Sequence, residues 1–345
     1  MNDVSNFDKK KYKFIKDKKM KNPVLSVIVI TYNHEKYIRK ALDSVLSQET
    51  DFPFEVVIGD DCSPDDTKNI IKEYQKKYPE QIRLVYREKN TGRPTLNVYE
   101  TTMKCRGKYL AYLEGDDYWT DSHKLQKQVD FLEAHPEYIA CTHSHKMIDD
   151  NNEDIKDPEL LKISDMYKWS GKFTMDDFKT SGFWPGHYAS VVSRNIYKTK
   201  KHDYTILYRA HDFVDDGQIL LFLLMEGDIY RLDDEMSVWR YVKKSGGNSW
   251  TSRSMKRNIQ KEDIIMSSTM MKWLEDEYGL TEYAKVKAKK DFETALYLYA
   301  NAPSKENWQT VREIFEYNIK HVVMNDKKVR LIPYCIKCVK EKFVK

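Results

Sequence analysis

The sequence predicts an α/β fold with a mostly parallel sheet flanked by helices, followed by a helical C-terminal region. Continuous apolar runs rich in β-branched residues alternate with segments whose apolar residues recur at helical spacing, which is typical of successive β-α-β units. Beyond about residue 255 the helical spacing continues and the strand pattern stops. The sequence therefore divides into an α/β part and a helical part.

The individual elements follow from the same two patterns. The run VLSVIVI predicts a first strand at 24–30 that is buried on both faces, and a helix follows at 34–48. Ser63 and Pro64 predict the start of the second helix, as its N-cap and its first-turn proline. Polar residues from 146 to 168 predict a loop or an insertion. The other predicted strands are 55–59, 82–86, 109–113 and 138–143, and the other helices are 64–78, 95–104, 122–134 and 219–225.

Charge and composition exclude several classes of protein. Lys and Arg number 58 against 54 Asp and Glu, so the net charge of +4 does not indicate a nucleic-acid-binding protein. The longest apolar run, Ile219–Met225, is far shorter than the roughly 20 residues of a membrane-spanning helix. No apolar stretch follows the N-terminal lysines as in a secretory signal, and five cysteines make no disulfide framework. We therefore expect a cytoplasmic protein.

The positive charge is concentrated at the two ends of the chain. Residues 1–22 contain eight lysines and three aspartates, and residues 320–345 contain seven lysines and one arginine against two acidic residues. The body between them is acidic. The ends could hold the protein peripherally at an anionic membrane surface, although a solvated C-terminal helix packed on the body fits that segment equally well.

Polar and acidic side chains follow three predicted strands. These are Thr31-Tyr32-Asn33, Asp60-Asp61 and Asp116-Asp117. Ligands of open α/β sheets bind beyond the carboxyl ends of the strands, and neither G-x-G-x-x-G nor a P-loop motif is present to hold phosphates. Carboxylates can hold a diphosphate only through a cation, so the Asp116-Asp117 pair predicts a site for Mg²⁺ or Mn²⁺. The alternative is that these pairs are ordinary turn or helix-cap residues.

Four segments, in order, resemble a known family. They read SVIVITYNHEKYIRKALDSVLSQ, EVVIGDDCSPDDT, GKYLAYLEGDDYW and DDGQILLFLLMEGDIYRLDDEMSVWRY. Together they resemble the family 2 inverting glycosyltransferases, which have a Rossmann-like GT-A fold, over about residues 24–250. The resemblance implies a nucleotide-sugar-binding half at 23–145 and an acceptor-side half at 146–254. The residue pattern itself predicts the regions on either side, a basic, mobile arm at 1–22 and a helical region with a basic tail at 255–345.

The resemblance also implies roles for the residues at the strand ends. Thr31, Tyr32 and Asn33 would line the nucleotide pocket, with Tyr32 stacked on the base. Asp61, or its neighbour Asp60, would accept a hydrogen bond from a ring nitrogen of the base, which favours uracil.

The resemblance implies further roles for residues of the later segments. Asp116 would hold the ribose and Asp117 would bind the metal, although Glu114 occupies the position at which the family motif begins with Asp. Arg93 and Asn97 would lie in the loop near the donor. Asp216 would deprotonate the acceptor hydroxyl, with Asp215 as the alternative base.

The implied activity is transfer of a sugar, with inversion, from a nucleotide diphosphate donor, most simply a UDP-sugar. The acceptor would be a hydroxyl of a glycan or a lipid-linked oligosaccharide, in the assembly of a bacterial surface polysaccharide. Two other functions stay open: a nucleotidyltransferase of similar fold, and a non-catalytic module that binds a nucleotide sugar or a glycan. The sequence has no feature that specifically indicates either function, and it lacks the Gly-rich basic loop of nucleotidyltransferases.

Three smaller signals remain. Cys141, His143 and His145 alternate and could share a strand face as zinc ligands, or could be core residues. Cys335 and Cys338 fit one face of a helix better than a redox or metal site. Near the position where some family members place a metal-binding His, this chain has lysines, and Lys243, Lys244 and Arg253 could instead contact the diphosphate.

Overall fold

Strands and helices alternate from the start of the described chain. The structure, a computed structural model, describes residues 22–165, 167–181, 184–210, 216–241, 269–270, 272–280, 291–292 and 294–318. Their contacts group them into two compact units, one within 1–199 and 214–242 and the other within 200–213 and 243–345. The division of the chain into four regions at 1–22, 23–145, 146–254 and 255–345 stays a prediction.

The first half of the sheet is parallel and follows the predicted order. Its strands lie in the order β3-β2-β1-β4, and every residue of β1 and β2 is buried. In this register Thr31 lies beside Asp60, and Ile30 lies beside Glu114, so the three strand ends meet at one edge. The elements are β1 (Leu25–Thr31), α1 (Ile38–Leu46), β2 (Phe54–Asp60), α2 (Thr67–Lys77), β3 (Ile82–Tyr86), α3 (Pro94–Thr102) and β4 (Tyr109–Glu114).

The second half of the sheet mixes strand directions. Next to β4 in the sheet lies β8, which runs antiparallel to both β4 and β6. The long β9 pairs parallel with β6 and antiparallel with β5 and β7. Its elements are β5 (Tyr118–Trp119), α4 (Lys124–Ala134), β6 (Tyr138–Ile148), α5 (Pro158–Asp165), β7 (Gly171–Phe173), α6 (Met175–Ser181), β8 (Val192–Arg194), α8 (Asp216–Glu226) and β9 (Asp228–Arg240). The predicted α/β fold is confirmed.

One apolar core joins the sheet to its helices. It contains buried side chains of β1, β2 and β4 together with those of α1, α2 and α4. The buried helix predicted at 219–225 is present as α8, in which Ile219 to Leu224 are all buried. This packing fixes the edge of the sheet at which the polar strand ends lie.

Several details differ from the sequence prediction. The second helix begins at Thr67 with Asp66 as N-cap, because the hydroxyl of Ser63 bonds to Asp60 and accepts a hydrogen bond from the Asn33 amide. The segment 146–168 contains the end of β6 and the helix α5. The sequence pattern does not predict the strands β7, β8 and β9. The strands β7 and β8 have only three residues each, and the exposed acidic residues 233–235 interrupt the apolar pattern of β9.

The regular secondary structure of the second unit, in its described residues, is helical. It contains α7 (Ile206–Arg209), helical residues within 272–278 and 294–301, and α9 (Lys305–Asn318). Phe292, Ala295, Val311 and Ile314 form a small buried cluster. Of the helices in the described residues, none combines the length and the apolar character needed to cross a bilayer.

Candidate donor and metal site

The loops that follow β1 and β2 are joined to each other. The Asn33 amide donates to Ser63 Oγ at 2.9 Å, and the Asp61 amide donates to the Thr31 carbonyl at 3.1 Å. Asn33 and Cys62 both have a positive φ, 61° and 60°, which costs a residue other than glycine on the order of 1 kcal/mol. Strain of this kind is concentrated at functional sites, and here it turns both loops over the ends of their strands.

Asp60 and Asp61 are buried and bonded within the fold. Asp60 accepts hydrogen bonds from the amide and hydroxyl of Ser63, and burial raises the pKa of its carboxyl. Asp61 accepts from the Thr91 amide at 3.1 Å, the Thr91 hydroxyl at 2.9 Å and the Gly92 amide at 3.2 Å. Asp61 therefore orders the loop after β3. A contact of either carboxylate with a base stays a prediction.

The residues predicted to lie near the donor occupy different places around this loop. Arg93 immediately precedes α3, and its amide donates to Thr91 Oγ1 at 3.2 Å. The side-chain amide of Asn97 donates to the Gly59 carbonyl at 2.9 Å and accepts from Arg87 at 2.7 Å. Asn97 thus joins α3 to β2 inside the fold, and its donor contact stays a prediction. Tyr32 is half-buried at the strand end, as the stacking role would require.

A group of possible metal ligands lies where β4 ends. Glu114, Asp117 and His187 each offer one ligand atom, and these three atoms lie within 4.8 Å of one another. Asp117 is 1% exposed, and its Oδ1 accepts from the Arg240 amide at 2.7 Å. Its Oδ2 lies 3.9 Å from His187 Nδ1 and has no hydrogen-bond partner among the described residues. A buried carboxylate oxygen without a partner fits a cation.

The electrostatics of these three residues also favour a bound cation. Burial raises the pKa of Asp117 well above its ordinary value, and the neighbouring carboxylates of Asp116 and Glu114 add to this effect. Burial lowers the pKa of His187 to about 3, so the imidazole is neutral near pH 7 and keeps a lone pair. Carboxylate oxygens suit Mg²⁺ and Mn²⁺, and an added imidazole nitrogen shifts the preference toward transition metals.

Comparison with known proteins identifies the family. The family model described as glycosyl transferase family 2 matches residues 26–199, just over half of the chain. The chain belongs to glycosyl transferase family 2. The resemblance seen in the four sequence segments is thereby confirmed.

The relatives include characterised and uncharacterised proteins. An uncharacterized protein of Mycobacterium tuberculosis is 37% identical over 225 residues, which are 63% of this chain and 58% of that protein. The putative teichuronic acid biosynthesis glycosyltransferase TuaG of Bacillus subtilis is 34% identical over 149 residues, 42% of this chain and 58% of TuaG. The chain thus spans less than two thirds of the length of the curated relatives that it matches.

A solved structure shows the same fold. The crystal structure of Staphylococcus aureus TarS 1–349 superposes with a TM-score of 0.58 at 19% identity, over 86% of this chain and 80% of that chain. The same fragment in complex with UDP superposes with a TM-score of 0.50 at 20% identity, over 89% of this chain and 75% of that chain.

Two residues of this family 2 site were not found from the sequence. His187 reaches the Asp117 turn from the segment before β8, and Arg240 reaches it from the end of β9. Lys243 and Lys244, near the position where some family members have a metal-binding His, lie with Arg253 outside the described residues. The only local signal for His187 was an isolated His after Pro185-Gly186, which by itself does not indicate a ligand.

The remaining predicted residues of the family 2 site are placed as follows. Asp116 lies with its Oδ2 3.7 Å from His34 Nε2, and its carbonyl accepts from Arg240 at 3.0 Å. Asp216 is the first residue of α8, while its side chain and Asp215 lie outside the described part. Thr31 is buried with a hydroxyl that has no partner in the described residues.

The alternating Cys141, His143 and His145 do not form a metal site in the described part of the chain. The Cys141 thiol contacts Gln128, and burial raises its pKa to about 12. His143 bonds to the Ser144 carbonyl and His145 to Ser164. Register shifts also interrupt the pairing of β6 with β9 between Thr142 and His145. Cys335 and Cys338 lie outside the described residues.

Proposed function

We propose that the chain is a metal-dependent inverting glycosyltransferase that moves a sugar from a nucleotide diphosphate-sugar to a hydroxyl group of an acceptor. The observation that carries the proposal is the unpartnered, buried Oδ2 of Asp117, which lies with Glu114 and His187 where β4 ends. A glycosidase would instead need two carboxylates on either side of a glycosidic bond.

Asp117, Glu114 and His187 would hold Mn²⁺ or Mg²⁺. When bound, such an ion neutralises the charge that develops on the departing diphosphate. Arg240 keeps Oδ1 of Asp117 occupied, which leaves Oδ2 for the ion. The strand ends at Thr31, Asp60 and Asp116 would hold the nucleoside, and the UDP bound by TarS supports a UDP-linked donor.

Asp216 would act as the base that takes the proton of the acceptor hydroxyl as it attacks the anomeric carbon. It begins α8, where the helix dipole favours an ionised carboxylate. One base is sufficient for a single displacement, which inverts the anomeric configuration. Asp215, immediately before the helix, is the alternative.

The names of two relatives support a proposal for the acceptor class. TuaG is named for teichuronic acid biosynthesis, and full-length TarS is named a poly(ribitol-phosphate) beta-N-acetylglucosaminyltransferase. We therefore propose a glycan or lipid-linked acceptor in the assembly of a bacterial surface polysaccharide, on the cytoplasmic side of the membrane. The basic ends of the chain would provide the peripheral contact with anionic lipids.

The test measures Mn²⁺ binding and UDP-sugar turnover in wild type, Asp117→Asn and Asp216→Asn. Asp228→Asn, which alters a surface carboxylate paired with Lys172, is the matched control. We expect Asp117→Asn to lose Mn²⁺ binding and turnover together. Asp216→Asn should keep Mn²⁺ binding and lose turnover by about 10²–10⁴-fold, the usual contribution of a general base.

Two outcomes would contradict the proposal. Unchanged turnover in both variants would show that these residues do not perform the chemistry. Binding of UDP-sugar by the wild type without turnover, toward water or any hydroxyl acceptor, would favour the non-catalytic module.

A further inference from the structure

We propose that Trp119 is a positioning residue that sets the separation of Asp117 and His187 through its indole N–H group. The inference rests on the proposed metal site and concerns how the fold brings its two buried ligands together. Trp119 is not itself a ligand. It lies in β5, two residues after Asp117.

A short chain of contacts joins the two ligands. Trp119 is 4% exposed, and its Nε1 donates to the Ala189 carbonyl at 2.9 Å across 70 residues of sequence. Ala189 follows His187 by two residues in one short 3₁₀ turn, in which the Ser190 amide donates to the His187 carbonyl at 2.9 Å. One indole therefore connects the turn that carries Asp117 to the turn that carries His187.

Trp119 is held at its backbone by two contacts and at its ring by one. The Trp119 amide donates to Ser44 Oγ of α1 at 3.1 Å, and Trp119 pairs with Ser237 of β9. Lys124 of α4 places its Nζ 4.2 Å from the centre of the ring. An indole fixed in this way can hold the Ala189 carbonyl, and with it His187, in one place.

The amine of Lys124 contacts the face of this ring. Its side chain is fully buried, and its amine has no hydrogen-bond partner among the described residues. Burial lowers its pKa to about 7, so only part of the population is charged near neutral pH. In its charged form the amine makes a cation–π contact with the Trp119 ring.

Residues that orient metal ligands commonly change metal affinity by about 10–100-fold when they are replaced. Loss of the indole N–H would leave the Ala189 carbonyl unpartnered on this side and free the His187 turn to move away from Asp117. The ring packing would remain if the shape of the side chain were kept. A side chain of the same shape without the N–H group therefore separates the effect of the hydrogen bond from that of the ring packing.

The experiment replaces Trp119 in the full chain with phenylalanine and, separately, with 3-benzothienylalanine, which keeps the bicyclic shape and lacks the N–H. Affinity for Mn²⁺ alone is measured by electron paramagnetic resonance, and nitrogen coordination by electron spin-echo modulation. Trp169→Phe is the matched control, because Trp169 Nε1 also donates to a backbone carbonyl, that of Lys172 at 2.8 Å, away from the metal ligands.

We expect the benzothienyl variant to bind Mn²⁺ about 10–100-fold more weakly, with a reduced nitrogen signal and a melting temperature near that of the wild type. Trp169→Phe should keep the wild-type affinity. If Trp119→Phe does not fold, the benzothienyl variant alone tests the role of the indole N–H group.

Wild-type Mn²⁺ affinity and nitrogen signal in the benzothienyl variant would overturn the inference while leaving the proposed function intact. If the wild type binds no Mn²⁺, or if Asp117→Asn and His187→Gln bind it normally, the metal site itself fails and this inference fails with it.

Discussion

At the scale of single residues, two glycines allow the close approaches on which the site depends. A Cβ at Gly115 would lie 2.7 Å from Thr31 Oγ1 and 2.8 Å from His34 Nδ1. A Cβ at Gly59 would lie 2.1 Å from Thr101 Oγ1 and 2.4 Å from Asn97 Oδ1. The first glycine lets the Asp116-Asp117 turn approach the end of β1, and the second lets α3 pack against β2.

We expect Gly59→Ala to lower the free energy of unfolding by about 1–3 kcal/mol, because overpacking forces α3 away from β2. Gly227→Ala is the control, since its nearest non-neighbouring atom would be 3.3 Å away. Urea denaturation followed by fluorescence measures both. Equal midpoints for the two variants would mean that α3 adjusts without cost.

At the scale of elements, Arg240 fastens the end of β9 to two turns. Its Nε donates to the Asp116 carbonyl at 3.0 Å, its Nη1 to the Asp149 carbonyl at 2.9 Å, and its Nη2 to Asn152 Oδ1 at 2.8 Å. The guanidinium also lies 4.5 Å from the centre of the Tyr37 ring. Four segments distant in sequence are thus joined by one buried side chain.

Arg240→Lys should therefore destabilise the protein by about 2 kcal/mol, because a single ammonium group cannot reach all three acceptors and stack on the ring. Arg39→Lys, which alters an exposed ion pair with Glu73, should change stability by less than about 1 kcal/mol. The shift in the urea midpoint of each variant relative to the wild type measures these losses of stability. A loss no larger than that of the control would contradict the role given to Arg240.

At the scale of the whole molecule, buried histidines make stability depend on pH. Burial lowers the pKa values of His143, His145 and His187. The unfolded chain takes up protons near pH 6.5, whereas the folded chain does so only at lower pH. Acidification therefore favours the unfolded state, and this contribution to stability is present above pH 6.5 and lost as pH falls below it.

We expect the free energy of unfolding to fall below pH 6.5 by up to about 1.4 kcal/mol per pH unit for each of these histidines. His145→Gln should remove the contribution of one histidine from this pH dependence, so the free energy of unfolding of the variant should fall less steeply below pH 6.5. Urea midpoints at pH 7.5, 6.5 and 5.5 measure both proteins. Parallel curves for wild type and variant would show that His145 is not kept neutral by the fold.

The sequence alone determined the parallel half of the sheet and the edge at which the site lies. Apolar runs such as 24–30 and 82–86 are local signals, and the acidic pairs directly follow their strands, so sheet order was sufficient to bring Asp60 and Asp117 to one edge. The family and fold followed from the same segments. The short strands β7 and β8 and the interrupted β9 carry no such local signal, because their pairing depends on distant partners.

Only the tertiary structure decided what completes the site. His187 and Arg240 are far in sequence from Asp117, and no periodicity relates them to it. Their approach depends on the antiparallel placement of β8 beside β4, the pairing of β9 with β5 and the indole of Trp119. A run of residues determines its own strand or helix through local sterics and burial, whereas a cluster of possible metal ligands drawn from three segments exists only once those segments have packed together.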